Sequence, residues 1–410
     1  MNTVILDSTG LDAAPAPVPL KDDAAIIGLV GLAHASSHFA HLLLPPLFPV
    51  FATEFGLSFS QLGFLMTVFF IISGSGQAAS GFLVDRVGAR PVLFGSFLCF
   101  ICACLAGYVA QGYAGLMLVA VLAGLGNAPF HPVDFSILNQ RVSTRRLGYA
   151  FSAHGLSGNL GWALTPVFLL FFTAWQGWRS GYLAAAALYA GILLLLVVKR
   201  RYLRTEVVSH AHDAPQGRGM AFMKLPVVWW CFSFFLLSTM TLAVVQAFAS
   251  PIMQAVHHVS FEAATTMITA YMLCGALGIF AGGFVAARMP HHSDRVVAWS
   301  MSAGALLIVL AATGWLGGFG SMAVLAATGF AVGVGGPSRD MMIKKATPKG
   351  ATGRVYGTVY SGLDMGFAIA PLIYGFFMDR AMYTATLMLA AVFLTLSVVA
   401  ALGVGKRTPV

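Results

Sequence analysis

The sequence predicts an all-α integral membrane protein, with twelve transmembrane helices arranged as two pseudo-symmetric six-helix bundles. Three observations carry this. Of 410 residues, 58% are hydrophobic and only 9% are charged, against about 25% charged in a soluble globular chain. The apolar runs reach about 20 residues or more, the length of a bilayer-crossing helix and twice that of an outer-membrane strand. A polar, proline-interrupted stretch at residues 124–166 also recurs, altered, at residues 333–371.

Residues 1–23 are polar, with Ala-Pro repeats and four Asp. They lack the basic start and cleavage site of a signal peptide and read as a disordered cytoplasmic tail. The first bundle is expected over 24–198, with spans at 24–50, 59–84, 91–110, 114–140, 147–173 and 178–198. A basic, Pro- and Gly-containing cytoplasmic linker, 199–225, begins Lys-Arg-Arg-Tyr-Leu-Arg. The second bundle follows over 226–403, with spans at 226–254, 262–287, 294–314, 319–342, 353–377 and 381–403, and residues 404–410 form a second cytoplasmic tail. No stretch is long enough for an inserted soluble domain, so any chemistry belongs to the membrane interior or its faces.

A net charge of +9 invites a nucleic-acid reading, which its distribution rejects. All but two of the 23 Lys and Arg, Arg179 and Arg380, fall at one face of the predicted topology. That is the positive-inside bias. It places both termini in the cytoplasm of a cell with a bacterial-type inner membrane. The five cysteines, Cys99, Cys102, Cys104, Cys231 and Cys274, all fall in predicted spans. With no His or acid beside them they read as small packing residues, since a structural zinc site needs four ligands, and no disulfide framework is indicated.

The halves correspond in detail. Pro166 precedes Pro371 by 205 residues, and at that offset Gly161 matches Gly366, Trp162 matches Phe367 and Asn159 matches Asp364. With a small indel, Gly126 matches Gly335 and Gly148 matches Gly357. Close helix packing accounts for the glycines. It does not account for a polar residue seven positions before the proline in both halves.

After the second span comes Gly81-Phe-Leu-Val-Asp85-Arg86-Val-Gly88-Ala-Arg90, partly repeated at Gly282 to Arg288 without the acid. With twelve spans split six and six, this resembles the loop signature of the major facilitator superfamily. Within it the chain is similar to the fosmidomycin-resistance branch of drug exporters, through His34 with Pro45 and Pro49, through Phe130-His131-Pro132, and through Gly158-Asn159-Leu-Gly161. It departs from that branch at Val133, His38 and Thr165. The resemblance implies the two-bundle fold and alternating access. It also implies that Asp85 meets the N-terminal end of the eleventh helix and latches the inner gate in the outward-open state.

His34, His38 and His41 stand at i, i+4 and i+7, within an arc of about 60° on one helix face. They read as a protonatable or substrate-binding stripe, as hydrogen-bonded to Ser36 and Ser37, or as metal ligands. The sequence shows no Asp- or Cys-rich partner beside them, and no metal is assigned. His131 and Asp134 are spaced to interact across a helical turn, where Pro129 and Pro132 should break the fourth helix. Asp134 falls nearer the cytoplasmic edge, where a gating or capping role rivals proton carriage. His154 and Asn159 lie in the same polar stretch. Asp364 is the acid placed closest to the middle of a span. It is a candidate proton carrier, with an ion pair to Arg339 or a hydrogen bond to Tyr360 as the structural alternatives. Arg339 itself suits positive-inside anchoring as well as anion binding. The pairs His210/His212, His257/His258 and His291/His292 read as solvated, and Glu262 as an N-terminal charge on the eighth helix.

No P-loop, His-Glu-x-x-His helix or Gly-x-Ser-x-Gly elbow is present, so neither an enzyme nor a nucleotide-driven pump is expected, and no output domain marks a sensor. The remaining reading is a proton-coupled secondary transporter working as a monomer without a cofactor. It would export a small anionic or zwitterionic organic molecule or drug. Proton symport of a small carboxylate nutrient is the alternative.

Overall fold

A computed structural model describes residues 19–143, 146–205, 221–346 and 352–407. Most of the predicted N-terminal tail and the centre of the linker lie outside the described residues. Among those described, twelve helical spans are long and apolar enough to cross a bilayer. Their outer faces remain apolar, with Phe280, Trp299 and Phe319 largely exposed, as expected where the solvent is lipid.

The first half contains α1 to α6. α1 runs over Leu20–His41, gives way to a 3-10 turn at Pro45–Leu47 and resumes as Phe48–Phe55. It starts four residues earlier than the sequence reading placed it. Asp23, expected in the tail, is instead buried. It accepts hydrogen bonds from Ser143 N and Oγ and from Arg146 Nη1, tying the start of α1 to the loop after α4. α2 (Phe59–Val87) opens on a capping box, with Ser58 and Gln61 each satisfying the other's backbone N–H. α3 is Ala89–Val109. α4 comprises Tyr113–Asn127 and Phe130–Arg141. The break falls at Ala128–Pro129, as the prolines require, because neither Pro129 nor Pro132 has an N–H to continue the ladder. α5 (Leu147–Gln176) and α6 (Trp178–Val198) meet at Gly177, whose φ of 80° a side chain would resist.

The second half contains α7 to α12. α7 is Pro226–Ala247, continued by Ala249–His257. α8 (Phe261–Arg288) is capped by Ser260 and carries Glu262 in its first turn, the expected placement. α9 is Ser293–Ala312 and α10 is Gly317–Ala346. α11 is Thr352–Met378 and α12 is Tyr383–Gly405.

The internal repeat has a packing counterpart. Gly161 of α5 sits on the Ala35 carbonyl of α1, and Gly366 of α11 sits on the Leu236 carbonyl of α7. Gly126 of α4 faces Phe100 of α3, and Gly335 of α10 faces Met301 of α9. The surroundings of Gly148 and Gly357 lie outside the described residues.

The halves meet along α2–α11 and α5–α8. Thr67 Oγ1 donates to the Ala368 carbonyl at 2.6 Å, and Thr269 Oγ1 donates to the Ala163 carbonyl at 2.8 Å. Gly63 lies against the Pro371 carbonyl, and Gly375 against Ser60. Farthest from the start of α1 and the end of α12, the Asp379 carboxylate accepts from the N–H groups of Phe59 and Ser60 at 2.6 and 3.1 Å. An acid from one half thus caps a helix of the other.

Candidate functional site

The polar stretch converges with α1 inside the first half. Asp134 has no exposed surface, and its Oδ2 lies 3.0 Å from both His34 Nδ1 and His154 Nε2. The His154 contact is a hydrogen bond. His34 Nδ1 is close but misaligned, so it remains without a hydrogen-bond partner, as do His38 Nδ1, His131 Nδ1 and Asp134 Oδ1, all buried. The His34 and His154 rings stack at 3.5 Å between centroids, inclined by 23°. No Lys or Arg pairs with Asp134 among the described residues. Its charge is balanced only by what the imidazoles carry.

Two expectations are corrected here. Asp134 is the buried centre of the cluster. Its partners are His34 and His154 rather than His131, because the packing of α1 and α5 against α4 overrides the local i, i+3 spacing. Nor do the helix 1 histidines bond to Ser36 and Ser37. Ser36 donates to the Leu32 carbonyl, while Ser37 Oγ and His41 Nε2 both donate to Asn127 Oδ1 at 2.5 and 3.0 Å. Asn127 Nδ2 donates to Ser73 at 2.8 Å, and Trp162 Nε1 donates to His41 Nδ1 at 3.3 Å. Both His41 nitrogens are therefore engaged, as in a neutral imidazole protonated at Nε2. His38 lies between the His34 and His41 rings and against Trp162 at 4.2 Å. Gly158 is required beside it, because the His38 ring occupies the space where a Cβ would go.

An aromatic junction carries the histidine face to the second half. Phe70 of α2 stacks on Phe367 of α11 at 4.5 Å with only 9° between planes, and Trp162 and His41 both reach Phe367 at 6.4 Å. On the side of this junction nearer the chain termini, α2 and α11 enclose a cavity of about 600 Å³. Its walls include Gly74, Gln77, Ser361 and Asp364. Asp364 has neither of its expected partners. Arg339 Nε instead donates to Asp340 at 2.9 Å, with its guanidinium 5.0 Å from the Phe235 ring. Tyr360 packs on Phe235 at 4.8 Å between ring centroids.

Asn159, the positional counterpart of Asp364, stays apart from the cluster and donates to the Gly155 carbonyl of its own helix. In the loop signature, Gly88 has a φ of 83° and the Thr205 hydroxyl accepts from Ala89 N–H. Arg86 is exposed and Arg90 is half-buried, while Gly81 lines the cavity. The Asp85 side chain and the residue preceding α11 lie outside the described residues, and so does the expected latch. The sequence reading missed Asn127 and Trp162. Asn127 was signalled by its place in the polar stretch, and Trp162 by its match to Phe367.

A sequence profile described as Major Facilitator Superfamily matches residues 30–327 and 231–410. The fosmidomycin resistance protein of Escherichia coli K12 is 29% identical over 46% of this chain and 47% of its own length. A probable L-galactonate transporter of the same organism is 27% identical over 39% and 36%. The chain thus spans less than half the length of these two relatives. The probable nitrate/nitrite transporter NarK2 of Mycobacterium tuberculosis H37Rv is 25% identical over 87% and 89%. These names differ in substrate at similar identity, and the fosmidomycin branch does not stand out among them. Among solved structures, a bacterial homolog of the human lysosomal transporter Spinster superposes with a TM-score of 0.74 at 15% identity, covering 95% of this chain and 98% of that one. Its relatives are transporters rather than enzymes, its two halves have the packing of a repeat, and the chain belongs to the Major Facilitator Superfamily.

Proposed function

We propose that the protein is a proton-coupled secondary transporter that exports a small zwitterionic or anionic organic molecule across a bacterial inner membrane, with both termini in the cytoplasm. The observation that carries this reading is an acid without a fixed cation in each half. Asp134 sits under two imidazoles, and Asp364 lies on a cavity wall with no ion pair among the described residues. Ionisable groups at membrane depth that lack permanent partners mark substrate or proton pathways. In the proposed orientation the bonded face between the halves closes the outside, and the cavity beside Asp364 belongs to the inner side. Rocking of the halves then presents Asp364 to each compartment in turn.

The chemistry favours a particular exchange. An ionised Asp364 holds a substrate's ammonium or hydrogen-bond donor. A proton arriving from outside removes that charge and releases the substrate, and the proton leaves on the inner side after the halves rock back. The imidazoles support the second reading, import of a carboxylate with a proton, because protonated imidazole attracts an anion. Cell content under overexpression separates the two: export lowers it and import raises it.

Thermal-shift screening of phosphonates, organic acids and antibiotics identifies a ligand, since binding stabilises the folded state by mass action. In proteoliposomes, collapsing the pH gradient is expected to abolish uphill movement of that ligand. Asp364→Asn is expected to reduce uphill transport at least tenfold and to weaken counterflow exchange as well, since the neutral amide mimics the state that releases substrate. Unchanged uphill transport in either case overturns proton coupling through Asp364.

A further inference from the structure

The imidazole–carboxylate cluster has a donor set that proton exchange does not exhaust. We propose that His34, His131, His154 and Asp134 form a binding site for one divalent transition-metal ion of the zinc class, held between α1, α4 and α5. The proposal concerns binding and stands independently of the transport reading.

The first support is convergence. One ring nitrogen from each of His34, His131 and His154 lies within 4.8 Å of the other two. Asp134 Oδ2 lies 3.0 Å from both His34 Nδ1 and His154 Nε2. Three imidazoles from three helices thus converge, and Asp134 lies beside two of them as the fourth donor of the proposed site.

The second support is the unmet demand at that locus. His34 Nδ1, His131 Nδ1 and Asp134 Oδ1 are buried without hydrogen-bond partners. Buried polar groups are normally satisfied, and unsatisfied ones call for an explanation such as an ion. A cation supplies what all of them lack, because neutral imidazole nitrogens and a carboxylate are both electron-pair donors. It also compensates Asp134, which no Lys or Arg accompanies.

The third support is ligand chemistry. Three imidazoles with one carboxylate suit zinc, cobalt, nickel or copper, whereas magnesium and calcium require oxygen. Four protein donors match a closed tetrahedral zinc site, with Zn–N near 2.0–2.1 Å. To reach such distances the donors must draw inward by roughly 1 Å, and the stacked His34 and His154 rings must turn out of their near-parallel arrangement so that both ring planes meet at the ion. His131 is placed to move, because it is the second residue after the Ala128–Pro129 break. His41 is not available, since Asn127 and Trp162 occupy its two nitrogens. Binding requires neutral imidazoles and an ionised carboxylate, so it displaces any protons they carry into solvent.

The test uses purified full-length protein with any affinity tag removed. Zinc chloride is titrated calorimetrically at pH 7.5 and pH 5.5, and cobalt(II) is followed by its visible spectrum. The expected result is one ion per chain, at least tenfold weaker binding at pH 5.5, and an intense tetrahedral cobalt spectrum. His154→Gln and Asp134→Asn should each weaken binding at least tenfold, while His291→Gln, on the surface, leaves it unchanged. Magnesium should not compete. Absence of stoichiometric binding, or equal affinity in His154→Gln and the parent, overturns the proposal. Should these variants fail to fold, X-ray absorption on the zinc-loaded parent decides. Imidazole scattering from about three rings supports the site, and a shell of oxygen or sulfur alone overturns it.

Discussion

Asn127 illustrates how much a single residue organises here. Its side chain receives Ser37 and His41 on one oxygen and donates to Ser73, joining α1, α4 and α2. Replacing it with Leu leaves three polar groups without that partner. Each buried unsatisfied group costs about 1–3 kcal/mol, so Asn127→Leu is expected to destabilise the protein by about 2–4 kcal/mol, read as a lower melting temperature in detergent. An unchanged melt would show that water replaces the amide. At this scale the sequence was partly legible. The i, i+4, i+7 spacing put His34, His38 and His41 on one face, which is where they lie. The partner of each was not legible. His131 and Asp134 are neighbours on one turn, yet Asp134 faces α1 and α5. Partner choice depends on how three helices are rotated about their axes, and local spacing carries no information on that.

The helices themselves follow from features that can be read locally. Apolar runs give the spans, Pro129 gives the break in α4, and Ser58 and Ser260 give starts. The start of α1 was less legible, because Asp22 and Asp23 look like tail when their tertiary partners are unseen. The paired glycines are where helix meets helix. A Cβ on Gly366 would stand 2.6 Å from the Leu236 carbonyl, and a Cβ on Gly161 would meet that of Ala35. Overpacking of this kind costs typically 1–3 kcal/mol. Gly161→Ala and Gly366→Ala are each expected to lower stability by about that amount, whereas Gly155→Ala, which faces open space, should not. Equal melts for all three would refute the repeat as a packing device. Asp379 makes a prediction of a different kind. It caps α2 from the opposing half, and a carboxylate at a helix N-terminus is worth about 0.3–1 kcal/mol. Asp379→Asn should therefore shift the equilibrium between the two closures by roughly two- to fivefold. Spin labels at Thr53 and Met382, both exposed, would report it as a larger population at long distance.

For the whole molecule, the twelve-span fold and its division into halves were legible because hydropathy and the internal repeat both act over long stretches. The asymmetry between the halves was only half legible. The exchange of Asn159 for Asp364 pointed to it, but the structure places the first half's polar centre on α1, α4 and α5 around Asp134, with Asn159 bonded to its own helix. Charge placement gives a direct test of orientation. With Arg179 paired to Glu54 at one face and Arg407 near the end of α12 at the other, a fluorescent protein fused after Val410 should fluoresce in the cytoplasm. A periplasmic phosphatase fused there should be inactive, and the opposite pattern would invert the topology.

The Phe70–Phe367 stack has a consequence for leakage. Protons cross membranes along unbroken files of water, and a file cannot pass through two flat rings in contact. Between the histidine face and the Asp364 cavity the protein thus sets two stacked hydrocarbon rings, where a file of water would be interrupted.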